Sequence, residues 1–204
     1  MILLSAADAI EKLNELRGQE LEELAKKYNV PTHNEKGIQN KQWKGHLFEL
    51  YLGGSINSRQ EPDFDWGELK LVKQSVLKKT GKLSFNQTVK MTMIDKSTFV
   101  EPKFEDSHLY HKIKNMVVVG WLTKNGKSFY HGAVHVKLDD VMLNEIKLDY
   151  ELIHTTRRTK GWSALTGYLG KWVQPRTAGT KGTNSRAYFA RKLFLITHCP
   201  DLLI

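Results

Sequence analysis

One short stretch of the chain combines two carboxylates and a lysine in a pattern suited to phosphodiester hydrolysis. Pro62-Asp63 is followed, after a short turn, by Glu68-Leu69-Lys70. Side chains two residues apart on a β-strand point to the same face, so we expect Glu68 and Lys70 to converge. Asp63 and Glu68 offer the oxygen ligands that a hard cation such as Mg²⁺ prefers, and the Lys70 ammonium can orient or help to deprotonate an attacking water.

Other interpretations of these residues have to be weighed against this one. Short carboxylate-lysine patterns often occur by chance, as an acidic turn followed by an exposed Glu-Lys strand face. Asp65 is an alternative to Asp63 as the first carboxylate. The best histidine pair, His108 and His111, lacks the second pair of ligands that a zinc site needs. The single cysteine, Cys199, lies near an apolar C-terminus and is expected to be a small buried residue rather than a nucleophile.

The positive charge of the chain is concentrated towards its C-terminus. The formal net charge is +9 at pH 7, and no Asp or Glu occurs between Leu152 and Pro200. The cations of this acid-free segment are Arg157, Arg158, Lys160, Lys171, Arg176, Lys181, Arg186, Arg191 and Lys192. A basic stretch is most often a solvated face, but so long a run without acids favours a polyanionic partner. Nucleic acid is the leading candidate, because cations that neutralise phosphates release condensed counterions.

Length and composition favour one compact domain. The chain has 204 residues, 40% of them hydrophobic, which is enough for a sizeable core. We expect a mainly helical part over residues 1–60, a catalytic sheet over 61–136, and a helix with a basic DNA-reading part over 137–204. No stretch has the length and apolar character of a leader or of a membrane span. A single cysteine fits a reducing cytoplasm.

Hydrophobic periodicity predicts the elements that must position these residues. Ser5 is expected to cap a helix that ends near Gly18. Further helices are predicted over about 20–27, 41–52, 107–115 and 138–154. Strands are predicted over about 64–73, 85–94, 116–122, 128–136, 169–175 and 186–190. The first two strands are expected to pair as a hairpin through Thr80-Gly81, and Asn125-Gly126 predicts another hairpin turn. The pattern indicates an α/β or α+β fold, with a central mixed β-sheet flanked by α-helices.

Taken with its surroundings, the Pro-Asp and Glu-x-Lys layout resembles the PD-(D/E)xK nuclease superfamily, and within it the MutH-like family of mismatch-repair nicking enzymes and related type II restriction endonucleases. Residues 41–49 resemble the first active-site helix of that family. The resemblance implies that Glu49 is an additional active-site acid and that Lys41 contacts a backbone phosphate. Residues 107–114 are similar to a family segment whose lysine, matching Lys112, lies close to the DNA and the active site.

The C-terminal part resembles the DNA-reading arm of the same family, through residues 174–176 and 186–192. The resemblance implies DNA contacts by Arg176, Lys181, Thr183, Arg186, Phe189 and Arg191. Two departures bear on the target. The short gap between Asp63 and Glu68 is more like the MvaI-type monomeric restriction enzymes, which is compatible with a monomer. The tyrosine with which the repair enzymes sense adenine methylation falls on Phe189, one residue after Tyr188.

These observations lead to one expected function and two alternatives. We expect a sequence-specific, Mg²⁺-dependent endonuclease acting on double-stranded DNA, in which Arg176 and Arg186 read guanine through paired hydrogen bonds. A mismatch-repair nicking enzyme specific for unmethylated strands is the second candidate. A DNA-binding module without cleavage is the third, and it is disfavoured because Glu49, Asp63, Glu68 and Lys70 all occur together.

Overall fold

A computed structural model of the chain describes residues 4–55, 61–96, 102–179 and 183–204. Its α-helices are α1 (Ala6–Asn14), α2 (Leu21–Lys27), α3 (Trp43–Tyr51), α4 (His108–Ile113), α5 (Asp140–Lys160) and α6 (Lys192–His198). Its strands are β1 (Glu68–Val76), β2 (Leu83–Phe85), β3 (Val89–Ile94), β4 (Asn115–Lys124), β5 (Lys127–Lys137), β6 (Val173–Thr177) and β7 (Arg186–Ala190). The fold is mixed α/β, as the sequence predicted.

The central sheet carries the predicted catalytic strand. Its strand order is β2-β1-β4-β5, with β1 and β4 parallel and the outer strands antiparallel to their neighbours. In the parallel pair Glu68 lies opposite Met116, and Lys70 lies opposite Val118. The turn between β4 and β5 was predicted correctly. Asn125 and Gly126 both have positive φ, at 50° and 79°, as a two-residue hairpin turn requires.

A second, antiparallel sheet has the order β3-β7-β6. The prediction that residues 64–73 and 85–94 form a hairpin was therefore wrong. The hairpin partner of β1 is the three-residue strand β2, which is closed by a turn in which the Leu77 amide donates to the Lys82 carbonyl at 2.8 Å. Polar residues 86–88 interrupt what reads as one strand, and β3 then leaves the central sheet to pair with β7.

Both faces of the central sheet are buried, each in its own cluster of apolar side chains. One face packs against the second sheet, α4 and α5, and Val72, Met116 and Val118 contribute to this cluster. The other face packs against α1, α2 and α3 through Leu69, Val117 and other residues. Three consecutive valines on β4 are buried for this reason, since a strand covered on both faces has no polar side.

Local signals predicted most of the helix starts. Ser5 forms a capping box with Asp8 at α1, and Asp139 caps α5 by accepting from the Met142 amide at 2.8 Å. No local signal predicts α6, whose first turn has no side-chain cap and whose seven residues are stabilised by packing of Phe194 and Leu195. Among the helices that the structure describes, none is long and apolar enough to cross a membrane.

Candidate active site

A tight turn brings Asp63 to the start of β1. The Phe64 and Gly67 backbones exchange two hydrogen bonds, of 3.0 and 2.9 Å. The returning chain allows Asp63 Oδ2 to accept from the Leu69 amide at 3.0 Å. Asp63 therefore lies beside Glu68, whereas the alternative carboxylate, Asp65, is exposed at the tip of the turn. This geometry favours Asp63 as the first carboxylate of the candidate site.

The same turn is held against β4 by a residue that the sequence did not single out. Asn115 donates through Nδ2 to the Trp66 carbonyl, and its Oδ1 lies 2.6 Å from His135 Nε2. Gly67 has a φ of +144°, and a Cβ there would meet the Asn115 carbonyl oxygen at 2.2 Å. Only glycine fits so close an approach. Asn115 and Gly67 thus fix the position of the Asp63 turn.

Glu68 is the most deeply buried charged side chain of the site. Its side chain is 1% exposed, and the Lys112 ammonium donates to both of its carboxylate oxygens, at 3.0 and 2.9 Å. Lys70 also donates to Glu68 Oε1, as expected for two residues on one strand face. The structure therefore brings Glu68, Lys70 and Lys112 together. A buried carboxylate held by two ammonium groups is a cluster of the kind that is concentrated at functional sites.

Glu49 approaches this cluster from the last turn of α3. Its Oε1 lies 3.8 Å from where a Cβ on Gly45 would be, so the side chain runs back along its own helix. The pKa of Glu49 is raised from 4.5 to about 7, mainly by burial and secondly by the negative charge of Asp63. A Cβ on Gly54 would meet the Phe64 ring at 2.9 Å, so that glycine allows the end of α3 to pack on the Asp63 turn.

The donor set fits a hard divalent cation. Over residues 4–55, 61–96, 102–179 and 183–204, no group of three or more His, Cys, Asp or Glu side chains is arranged to hold a metal ion. Mg²⁺, however, keeps several waters and usually takes only one or two protein carboxylates together with substrate phosphates. Asp63 and Glu68 meet that requirement. Both oxygens of Glu68 contact ammonium groups, so a cation there replaces a contact with Lys112 or Lys70. Metal binding stays a prediction.

The predicted base reader Arg176 lies exposed on β6. Its Nη1 donates to Thr88 Oγ1 at 2.9 Å, and its guanidinium carbon lies 5.7 Å from the centre of the Phe189 ring. Gln174, two residues earlier, is opposite Phe189 in the second sheet. Arg176 and Phe189 therefore form one patch on this sheet. Their contact with DNA stays a prediction.

The other predicted DNA contacts differ in how free their side chains are. Lys41 is exposed in the turn before α3. Arg186 donates through Nε to the Leu165 carbonyl at 3.0 Å, and Arg191 donates to the Gly167 and Leu169 carbonyls at 2.7 and 3.0 Å. Both arginines therefore brace the loop over 165–169, and Arg176 is the freer candidate for reading bases. Thr183 donates to the Ala178 carbonyl at 2.9 Å, and the remaining predicted contact, Lys181, lies outside the described residues.

A buried aspartate positions the strand that carries Arg176. Asp149 on α5 accepts hydrogen bonds from the backbone amides of Lys171, Trp172 and Val173, at 2.7, 2.7 and 2.8 Å. Asp149 is only 5% exposed. These three bonds fix the approach to β6, so Asp149 determines where the patch of Arg176 lies. This role of Asp149 is not predictable from the sequence, because the residue looks like an ordinary acid of an amphipathic helix.

Cys199 behaves as predicted. Its side chain is fully buried among the apolar residues of the core between the two sheets. Burial raises the pKa of its thiol to about 12. The thiolate, which is the nucleophilic form, is therefore scarcely populated at neutral pH.

The sequence profile of the family described as the DNA mismatch repair enzyme MutH matches residues 52–153, which is half of the chain. No curated protein matches the chain. It is also similar to the solved structure of a restriction endonuclease MvaI–cognate DNA substrate complex, with 14% sequence identity, a TM-score of 0.38, and coverage of 92% of this chain and 96% of that chain. The matched half contains Asp63, Glu68, Lys70 and Lys112, whereas Glu49 lies outside it. The protein belongs to the MutH family of DNA mismatch repair enzymes.

Proposed function

We propose that the protein is a metal-dependent endonuclease that cuts double-stranded DNA at specific sequences, as type II restriction enzymes do. The observation that carries the proposal is the buried Glu68, held by Lys70 and Lys112 beside Asp63. Burying a carboxylate with its counter-ions is expensive, and apolar residues stabilise a fold as well or better. A chemical role accounts for this cost.

Each residue of the cluster has a part in hydrolysis under this proposal. Asp63 and Glu68 hold the divalent cation, which supplies Lewis-acid polarisation of the phosphate when it is bound. Lys70, at the edge of the cluster with a side chain 17% exposed, orients the attacking water and stabilises negative charge on the phosphate oxygens. Lys112 holds Glu68 in place. Glu49, with a pKa of about 7, accepts the proton of the water near neutral pH.

Recognition of the target is assigned to the second sheet and the acid-free segment. Arg176 is exposed, and among the described residues no carboxylate forms an ion pair with it. Its guanidinium is therefore available for two hydrogen bonds to guanine O6 and N7 in the major groove. The neighbouring cations of the segment supply affinity for the phosphate backbone that is independent of sequence.

A nicking enzyme of mismatch repair is the second candidate, and the match to the MutH profile favours it. The two candidates differ in the product that they leave on a supercoiled plasmid. A restriction enzyme gives linear DNA with one or more defined ends. A nicking enzyme gives open circles and, on hemimethylated substrate, cuts only the unmethylated strand.

The experiment that tests the proposal compares two lysines of β1. The wild-type protein, Lys70→Ala and Lys73→Ala are incubated with unmethylated supercoiled plasmid and Mg²⁺. Lys73 lies on the opposite strand face, with its Nζ 5.1 Å from the centre of the Trp121 ring, and is a matched control. We expect Lys70→Ala to lose cleavage by about two orders of magnitude or more while DNA binding is kept, because its role is in the transition state. Equal rates for the two variants, or no cleavage by the wild type, would contradict the proposal.

A further inference from the structure

Lys90 lies on β3, next to a β-bulge that determines which way its side chain points. The pairing of β3 with β7 shifts register between Lys90 and Thr92, which leaves Met91 as an extra residue. Met91 and Thr92 are consequently both buried, at 3% and 7% exposure, whereas Lys90 is exposed. Bulges of this kind often redirect a side chain next to an active site. Here the bulge separates the outward-pointing Lys90 from the buried residues that follow it.

β3, which carries Lys90, packs against both elements that supply lysines to the candidate site: β1, which carries Lys70, and α4, which carries Lys112. Although Lys90 as a whole is exposed, its ammonium group is partly desolvated, and this desolvation, followed by the positive charges of Lys70 and Lys112, lowers the pKa of Lys90. Those two lysines already share Glu68 as their counter-ion. Among residues 4–55, 61–96, 102–179 and 183–204, no carboxylate forms an ion pair with Lys90. The Lys90 ammonium is thus a third positive charge near Lys70 and Lys112, and none of the described carboxylates is paired with it.

β3 lies between the cluster around Glu68 and the predicted base reader, Arg176. Lys90 lies opposite Phe189, whose ring is next to the Arg176 guanidinium. Thr88, two residues before Lys90, accepts the hydrogen bond from Arg176. A duplex that contacts Arg176 and reaches the cluster must therefore run along β3, and the anion that it brings to Lys90 is a backbone phosphate.

We infer that Lys90 binds a backbone phosphate of the DNA between the base-reading patch and the cut, and so sets the position of the scissile bond relative to the sequence that is read. This inference rests on the proposed function, because it requires DNA to be the substrate. Its chemistry is that of a point charge, so Lys90→Arg should substitute for it in part and Lys90→Ala should not.

The test measures DNA binding as a function of salt for the wild type, Lys90→Ala, Lys90→Arg and Lys79→Ala. The probe is a duplex of scrambled sequence, with Ca²⁺ in place of Mg²⁺ to block cleavage. Lys79 is an exposed lysine in the turn that follows the opposite end of β1 from Glu68, and it serves as the control. The loss of one phosphate contact makes the negative slope of log K against log salt concentration shallower by about 0.9. If affinities are equal at 1 M salt, this change corresponds to about an eightfold loss of affinity at 0.1 M salt. We expect that change for Lys90→Ala only.

The same four proteins are also assayed for cleavage of plasmid DNA with Mg²⁺. Thermal unfolding first establishes that Lys90→Ala and Lys90→Arg are folded. If the wild type cuts DNA but Lys90→Ala keeps the wild-type salt slope, the inference about Lys90 is wrong and the proposed function stands. If the wild type does not cut DNA at all, the proposed function fails, whatever the salt slopes are. A reduced slope that Lys90→Arg restores supports the inference.

Discussion

Replacing Lys112 with methionine removes the main counter-ion of Glu68 and leaves most of the side-chain volume in place. Lys112 and Glu68 have side chains that are only 8% and 1% exposed, and the ammonium contacts both carboxylate oxygens. Losing one partner of a buried ion pair typically costs about 3–5 kcal/mol, because the other charge stays buried. Lys70 still contacts Glu68 in the variant, so we expect the low end of that range, about 3 kcal/mol.

The free energy of unfolding is measured by urea denaturation in EDTA, so that bound metal does not contribute. For a chain of 204 residues, a loss of this size corresponds to a decrease in Tm of about 6–12 °C. Lys114→Met is the matched control. Lys114 is the next lysine along the chain; its Nζ lies 4.8 Å from the centre of the Tyr110 ring, and within the described part of the chain no carboxylate forms an ion pair with it. Its loss should cost below about 1 kcal/mol.

A double-mutant cycle separates the ion pair from other effects of the methionine. In Lys112→Met/Glu68→Gln the buried charge is gone, so the double variant should lose less than the sum of the single variants, with a coupling on the order of 2 kcal/mol. A coupling near zero, or a loss below about 0.5 kcal/mol for Lys112→Met alone, would contradict a stabilising ion pair between Lys112 and Glu68. Either result means that Glu68 is not held by Lys112 in the free protein.

Three further predictions follow from the site and its supports. In EDTA the free energy of unfolding of the wild type should fall as pH rises from 4.5 to about 7, because the folded protein keeps the Glu49 proton over that window and the unfolded chain does not; Glu49→Gln should flatten this dependence, and identical slopes would contradict the assignment. Asp149→Ala removes three hydrogen bonds that the carboxylate accepts from backbone amides, one buried and two part-buried, and should cost about 3 kcal/mol by urea denaturation, where a loss below about 1 kcal/mol would show that other contacts hold β6. Arg176→Ala should cost about 1–3 kcal/mol of binding on cognate duplex in Ca²⁺ but much less on scrambled duplex, and equal losses would make Arg176 a phosphate contact.

Local signals in the sequence were enough for the elements that local chemistry determines. The capping residue Ser5, the Asn125-Gly126 turn and the apolar run of β4 each have a physical cause within a few residues. The pairing of β3 was not predictable in this way. Its partner β7 is about a hundred residues away, and the choice between hairpin and second sheet depends on packing of the whole core.

The residues of the candidate site likewise differ in whether local structure or long-range packing brings them together. Asp63, Glu68 and Lys70 lie within eight residues, so a turn and the strand period suffice to bring them together. Lys112 was found only through the family resemblance, because its contact with Glu68 spans 44 residues. Lys90 carried no signal at all. Its place near the cluster depends on a bulge in a strand pair that the sequence did not predict.

The most direct test of the central claim is cleavage of unmethylated plasmid DNA by the wild-type protein, with the ends of the products sequenced. With Mg²⁺ or Mn²⁺ we expect discrete products whose ends share one sequence, and in EDTA we expect no cleavage, because Asp63 and Glu68 need a cation to act on phosphate. Products with random ends would contradict the sequence specificity assigned to Arg176. Full cleavage in EDTA, or none with either metal, would contradict the assignment of Asp63 and Glu68 as the metal-binding centre of a DNA endonuclease.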